Sequence, residues 1–156
     1  MTKESHLRLI FLFLASSALI SCSSEMPAAK ASLSEADYVA AIIEIDYEDY
    51  LRKTSAQDSF VLYVYSPSCL ICQRFSPFLK QGTEELSFTA YSLPRNEFST
   101  DSPLYAYAQY TPAVIVYSTG SVIANLNSTL DSDSPYFESS AGFETWISEH
   151  VSFPSD

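Results

Sequence analysis

An α/β fold, with a central mixed β-sheet flanked by helices on both faces, is predicted for this 156-residue chain by three observations. Strand-like and helix-like segments alternate from residue 38 to residue 151, and such alternation builds a sheet covered by helices. The run Ser59–Ser66, "SFVLYVYS", is almost wholly apolar, which suits a central strand buried on both faces. Two later β-branched runs are separated only by Thr119-Gly120, a pair that permits a tight antiparallel turn and so makes the sheet mixed.

Taken in order, "YVAAIIEI" (38–45) reads as the first strand, because it is apolar and β-branched. Asp46 can cap a helix over 47–56, where Tyr47, Tyr50 and Leu51 fall at helical spacing and Glu48 and Asp49 suit a first turn. After the strand 59–66, "QRFSPFLKQGTEEL" places Phe75, Phe78 and Leu79 on one side of a helix that contains Pro77, where a kink is expected. "SFTAYSL" (87–93) is a further strand, and "DSPLYAYAQY" (101–110) a short helix capped by Asp101 or Ser102 with Pro103 in its first turn. The hairpin follows at 113–118 and 121–126, residues 128–141 read as loop, and "GFETWISEHV" (142–151) closes the chain as an amphipathic helix. Aromatic side chains are abundant (11 Tyr, 10 Phe), and those of "YAYAQY" are expected to serve the core and its boundary.

The N-terminal 21 residues carry Lys3 and Arg8 ahead of an apolar stretch, Leu9 to Ile20, that is short for a bilayer span and reads as a signal peptide. Its end, Leu19-Ile20-Ser21-Cys22, resembles the lipobox of bacterial lipoproteins. That resemblance implies cleavage before Cys22, lipidation of its sulfur, and a protein anchored in the cell envelope facing outside the cytoplasm. Residues 22–37 are small and polar and read as a flexible tether, leaving 38–156 as the folded domain. Without residues 1–21, six basic side chains stand against eighteen acidic ones, a net charge of −12. A surface so acidic, lacking any basic stripe, argues against nucleic acid and anionic headgroups as partners. Three glycines in all leave no phosphate-cradling loop.

With Cys22 assigned to lipid, Cys69 and Cys72 are the remaining thiols. In an exported chain such a pair is expected to be oxidised at least part of the time, yet a bridge closing so short a loop removes little chain entropy and is a poor staple. The pair stands where a buried strand gives way to a helix. Unpaired backbone N–H groups at a helix start favour thiolate over thiol, and i, i+3 spacing brings the two sulfurs within bridging reach. Cys69 is then the exposed, attacking sulfur, and Cys72 the resolving one. Zinc would need about two further ligands; His150 is the one histidine left. It lies on the last helix beside Trp146 and Ile147 and reads as a surface residue rather than a catalytic base. Neither a metal nor a diffusible cofactor is called for.

Forty residues after Cys72, Thr111-Pro112 directly precedes a strand. Together, "FVLYVYSPSCLICQRFSPFLK" and "QYTPAVIVYSTGSVI" resemble the thioredoxin superfamily over residues 38–151, and within it the thioredoxin-like bacteriocin-transport accessory proteins, whose "FVLYxxxxxCxxCxxFxP" pattern is matched from Phe60 to Pro77. The resemblance implies a thioredoxin-like fold, Cys69 as nucleophile, Cys72 as resolving thiol, and Pro112 as a cis-proline whose neighbour Thr111 offers main-chain groups to an extended substrate. Several positions depart from thioredoxins: Ser68 stands where they carry tryptophan, Leu70-Ile71 where they carry glycine and proline, and Tyr63 where they bury an aspartate. Proton transfer at Cys72 must then use water or the Tyr63 hydroxyl, and the direction of electron flow is left open.

Two functions of different class follow. One is a membrane-tethered thiol–disulfide oxidoreductase acting on exported protein or peptide thiols and disulfides, turned over by a membrane redox partner. The other is an accessory lipoprotein that keeps the bridge as a local lock. Metal delivery through the two thiols is a third, hampered by the lack of a suitable histidine.

Overall fold

The computed structural model describes residues 29–154. Among these residues, seven strands and four α-helices follow one another as β1 (Ala31–Ser32), β2 (Ala41–Glu44), α1 (Tyr47–Ser55), β3 (Phe60–Tyr65), α2 (Leu70–Glu85), β4 (Thr89–Pro94), β5 (Ala113–Ser118), β6 (Ser121–Asn127), α3 (Ser134–Phe137), α4 (Ser140–His150) and β7 (Val151–Ser152). The main sheet runs β2-β4-β3-β5-β6. β2 and β3 pair parallel to β4, whereas β5 is antiparallel to both β3 and β6. The predicted α/β class and mixed sheet are therefore observed.

β3 lies at the centre and is buried on both faces. Val61 and Tyr63 point into a core shared with Phe75 and Leu79 of α2 and Phe143 and Ile147 of α4. Phe60, Leu62 and Val64 point into the opposite core, with Tyr50 of α1, Leu93, Leu104 and Ile115. Period-2 alternation of an all-apolar strand thus feeds two helical layers at once. Asp46 caps α1 by accepting the Asp49 N–H at 2.8 Å. At the hairpin, Thr119 and Gly120 both take positive φ, 48° and 75°, the left-handed pair that a two-residue turn between twisted strands requires.

Four expectations are corrected. The tether expected over 22–37 does not extend that far. Ala31, fully buried, pairs in parallel with Val151, and Tyr38 donates its hydroxyl to the Ser152 carbonyl at 2.7 Å; a small side chain and a parallel ladder let this strand dock where polarity alone suggested freedom. Residues 101–110 form a single 3-10 turn, Pro103–Ala106, capped by Ser102, rather than an α-helix, since Pro112 and two earlier buried anchors, Leu104 and Ala108, limit the segment. Residues 128–141 are not simply loop but hold α3, with Pro135 in its first turn and Phe137 buried. The first strand is shorter than 38–45, because Glu35–Asp37 forms a 3-10 turn and hands the chain to β2 only at Ala41. The signal-peptide reading and Cys22 lie outside the described residues.

Candidate functional site

The end of β3, the start of α2 and the start of β5 meet at one place. After Tyr65 the chain turns through Ser66–Ser68, where the Cys69 N–H bonds the Ser66 carbonyl at 3.1 Å and Gln73 ties back to the Pro67 carbonyl at 3.0 Å. Cys69 is the N-cap of α2, and its sulfur accepts the Cys72 N–H at 3.0 Å. A sulfur so placed takes one of the helix's unpaired donors and sits at the positive end of the helix dipole, which favours negative charge on it. The two cysteines are joined by a disulfide, their Cα atoms 5.2 Å apart. Cys69 is half-buried at the surface, whereas Cys72 is 3% exposed.

Because β5 runs antiparallel to β3 with Ala113 opposite Val64, the residues preceding β5 arrive beside the residues following β3. The Thr111-Pro112 bond is cis, and the Thr111 carbonyl oxygen lies 3.3 Å from Cys69 Sγ. Reduction would leave the Cys69 thiol placed to donate to that carbonyl. The four residues Cys69, Cys72, Thr111 and Pro112, separated by up to 43 positions in sequence, are thus brought together. Around them Leu70, Ile71 and Tyr110 are exposed by 68%, 47% and 57%, an apolar rim beside the cysteine pair. His150 is elsewhere, packed edge-on against Trp146 at the end of α4 with ring centroids 4.7 Å apart.

A cleft of about 420 Å³ reaches Cys72, lined among others by Tyr63, Tyr65, Ser66, Gln73 and Ser92. The Tyr63 hydroxyl points to the Cys72 carbonyl at 3.5 Å, the outer limit of a hydrogen bond. Burial holds Tyr63 well above the usual phenol range, so it remains protonated and is no base at neutral pH. Its hydroxyl is directed at the Cys72 carbonyl rather than the sulfur, whereas the cleft, which Cys72 lines, offers solvent a path toward that sulfur. Tyr65, in the same cleft, donates to Glu44 at 2.5 Å, and that bond is the main reason its own pKa is raised to about 12. Among the described residues no group of three or more His, Cys, Asp or Glu side chains is arranged to hold a metal.

Sequence reasoning missed a second hollow, about 510 Å³, between α2 and α3. Its α2 side is Ile71, Arg74 and Phe78, at i, i+3 and i+7; this stripe is visible in the sequence, but α3, which supplies the facing wall, is not.

Comparison with known proteins bears on the fold. No family model matches the chain. The structure superposes on a single-site mutant of thioredoxin from Halobacterium salinarum with a TM-score of 0.53 at 14% identity, covering 74% of this chain and 96% of that one. Thioredoxin O1 from Arabidopsis thaliana in its oxidised state gives 0.52 at 15% identity, over 71% and 98% of the two chains. In sequence, a curated protein called "Disulfide bond formation protein" from Brevibacillus choshinensis is 35% identical over 74 residues, 46% of this chain. The chain spans 63% of that relative's length. The fold is thioredoxin-like, with a CxxC disulfide at the start of its second helix. The resemblance to the thioredoxin superfamily drawn from the two motifs is borne out at the level of fold.

Proposed function

We propose that this protein is a thiol–disulfide oxidoreductase that oxidises polypeptide dithiols outside the cytoplasm, held to the membrane through a lipid on Cys22. The observation that carries the reading is the contact of a helix-capping, surface-reaching Cys69 with the Thr111 carbonyl, backed by a shielded Cys72. A merely structural bridge needs neither the exposed sulfur nor the adjoining backbone. The name of the Brevibacillus relative supports the oxidising direction, as does the helix N-terminus, which stabilises the reduced, thiolate form of Cys69 and so makes the bridge a better oxidant.

In the forward reaction a substrate thiolate attacks Cys69 Sγ, the Cys69–Cys72 bond breaks, and Cys72 leaves with a proton taken through the cleft. A second substrate thiolate then attacks the substrate sulfur of the mixed disulfide and expels Cys69 as thiolate. Two electrons pass from the substrate dithiol to the cysteine pair, and a membrane redox partner removes them. Extended substrate chain lies along Thr111-Pro112, pairing with its backbone. The apolar rim of Leu70, Ile71 and Tyr110 favours polypeptides over small thiols. The anchor is read from the Leu9–Cys22 sequence.

Removal of the resolving thiol tests this. Run in reverse, the free Cys69 thiolate of Cys72→Ser attacks the disulfide of an oxidised substrate chain and expels its other sulfur, and with no Cys72 to resolve it the mixed disulfide is expected to accumulate, visible on non-reducing gels and lost on adding dithiothreitol, while Cys69→Ser forms none. Absence of any adduct on Cys72→Ser would remove the catalytic reading in favour of a non-catalytic accessory lipoprotein.

A further inference from the structure

We infer that the hollow between α2 and α3 is a substrate subsite, taking a bulky apolar side chain next to a carboxylate within a few residues of the reacting cysteine. The inference rests on the oxidoreductase reading and adds to it which polypeptides are preferred.

The hollow begins beside the cysteine pair, because Ile71, which lies between the two cysteines in sequence, lines it. From Ile71 to Phe78 the α2 wall runs seven residues, about 10 Å at the helical rise, which is the length of roughly three residues of extended chain. A polypeptide bound at Cys69 through its own cysteine therefore reaches the far end with a residue about three positions away. Phe78 forms that end, Phe137 lines the hollow from α3, and Phe137 is held edge-to-face on Phe75 with centroids 4.9 Å apart. Such a pocket suits an aromatic or large aliphatic side chain.

Charge selects the rest of the occupant. The chain is strongly acidic overall, −11, yet the hollow contains Arg74. Among the described residues, the other five basic side chains reach a partner: Lys30 and Arg95 bond carbonyls, and Arg52, Lys53 and Lys80 pair with carboxylates. Arg74 makes no such contact with the described residues. Glu138, across the hollow, instead receives the Ser134 hydroxyl at 3.2 Å. A guanidinium exposed beside an apolar wall is matched by a carboxylate on the incoming chain.

The facing wall is built rather than incidental. Asp133 accepts the Asn127 N–H at 2.8 Å, and successive turns bond Leu130 to Asn127, Asp133 to Leu130 and Tyr136 to Asp133. α3 is seated so closely on α4 that a Cβ at Gly142 would lie 2.6 Å from the Pro135 carbonyl oxygen.

The test uses the oxidised protein and synthetic dithiol peptides carrying Phe-Asp, Phe-Lys or Ser-Asp three residues to either side of one cysteine, with dithiothreitol as a small dithiol. Each oxidation rate is expressed relative to that of dithiothreitol. Phe-Asp is expected to exceed Phe-Lys and Ser-Asp by about tenfold each, equivalent to ~1.4 kcal/mol. Arg74→Glu, an exposed position that the fold does not need, is expected to invert the Asp-over-Lys preference. Equal rates for the three peptides, or an unchanged preference in Arg74→Glu, would overturn the subsite while leaving the oxidoreductase reading in place. If dithiothreitol itself is not oxidised, the oxidoreductase reading falls and the subsite with it.

Discussion

Replacing Gly142 by alanine sets two effects of opposite sign against each other, and the structure decides between them. Gly142 lies in the first turn of α4, where alanine is intrinsically better by about 1 kcal/mol. The added methyl, however, would stand 2.6 Å from the Pro135 carbonyl oxygen, 3.1 Å from Ser139 Oγ and 3.3 Å from Tyr136 Cα. Two of these three are backbone atoms that cannot rotate away. The third is the N-cap oxygen that receives the Gly142 N–H at 3.0 Å, and a lost cap costs about 1 kcal/mol. Overpacking of this kind costs roughly 1–3 kcal/mol, so the net change is a destabilisation of about 1–3 kcal/mol. For a domain of this size that lowers Tm by about 4 °C per kcal/mol. Urea unfolding followed by Trp146, the single tryptophan, buried in α4, measures it. A Gly142→Ala protein as stable as the parent, or more so, would mean that helix propensity prevails and that α3 is not seated against α4, and the wall of the subsite would go with it.

Tyr63→Phe is expected to change the rate at which Cys72 resolves or leaves by less than about threefold, because the hydroxyl makes only one marginal bond, worth well under about 1 kcal/mol; a loss of tenfold or more in stopped-flow exchange would assign the proton step to Tyr63 instead of the cleft. Burial lowers the His150 pKa, so the unfolded chain takes up this proton first and stability falls as pH drops through and below about 6.5, the unperturbed value. His150→Gln is expected to flatten the urea-midpoint profile between pH 7.5 and 5.5 relative to the parent. An unchanged difference across that range would contradict a half-buried imidazole whose pKa folding lowers.

Much of the architecture was legible because it rests on local rules. The two-sided burial of β3 was written in "FVLYVY", Asp46 stood ready as a cap, and Thr119-Gly120 carried the turn. The cysteine pair and Thr111-Pro112 were legible as motifs, but their closeness depends on the antiparallel pairing of β5 with β3, a long-range fact. What escaped notice has short-range signals too weak to override composition. β1 is two residues long and depends on β7, itself two residues. α3 is four residues among serines and aspartates, marked only by Pro135 and by Phe137 with a partner, Phe75, 62 positions away. The identity of the proton route was undecided in sequence because the choice between water and Tyr63 turns on a hydroxyl's direction and burial.

The central claim is that Cys69 and Cys72 form a reversible, oxidising couple. Equilibrating the protein in glutathione buffers and counting free thiols by alkylation and mass measures it directly. A two-electron midpoint between about −120 and −180 mV is expected, reached from both the oxidised and reduced sides. A midpoint below about −250 mV, or a bridge that does not exchange, would contradict it and leave the disulfide as a fixed lock.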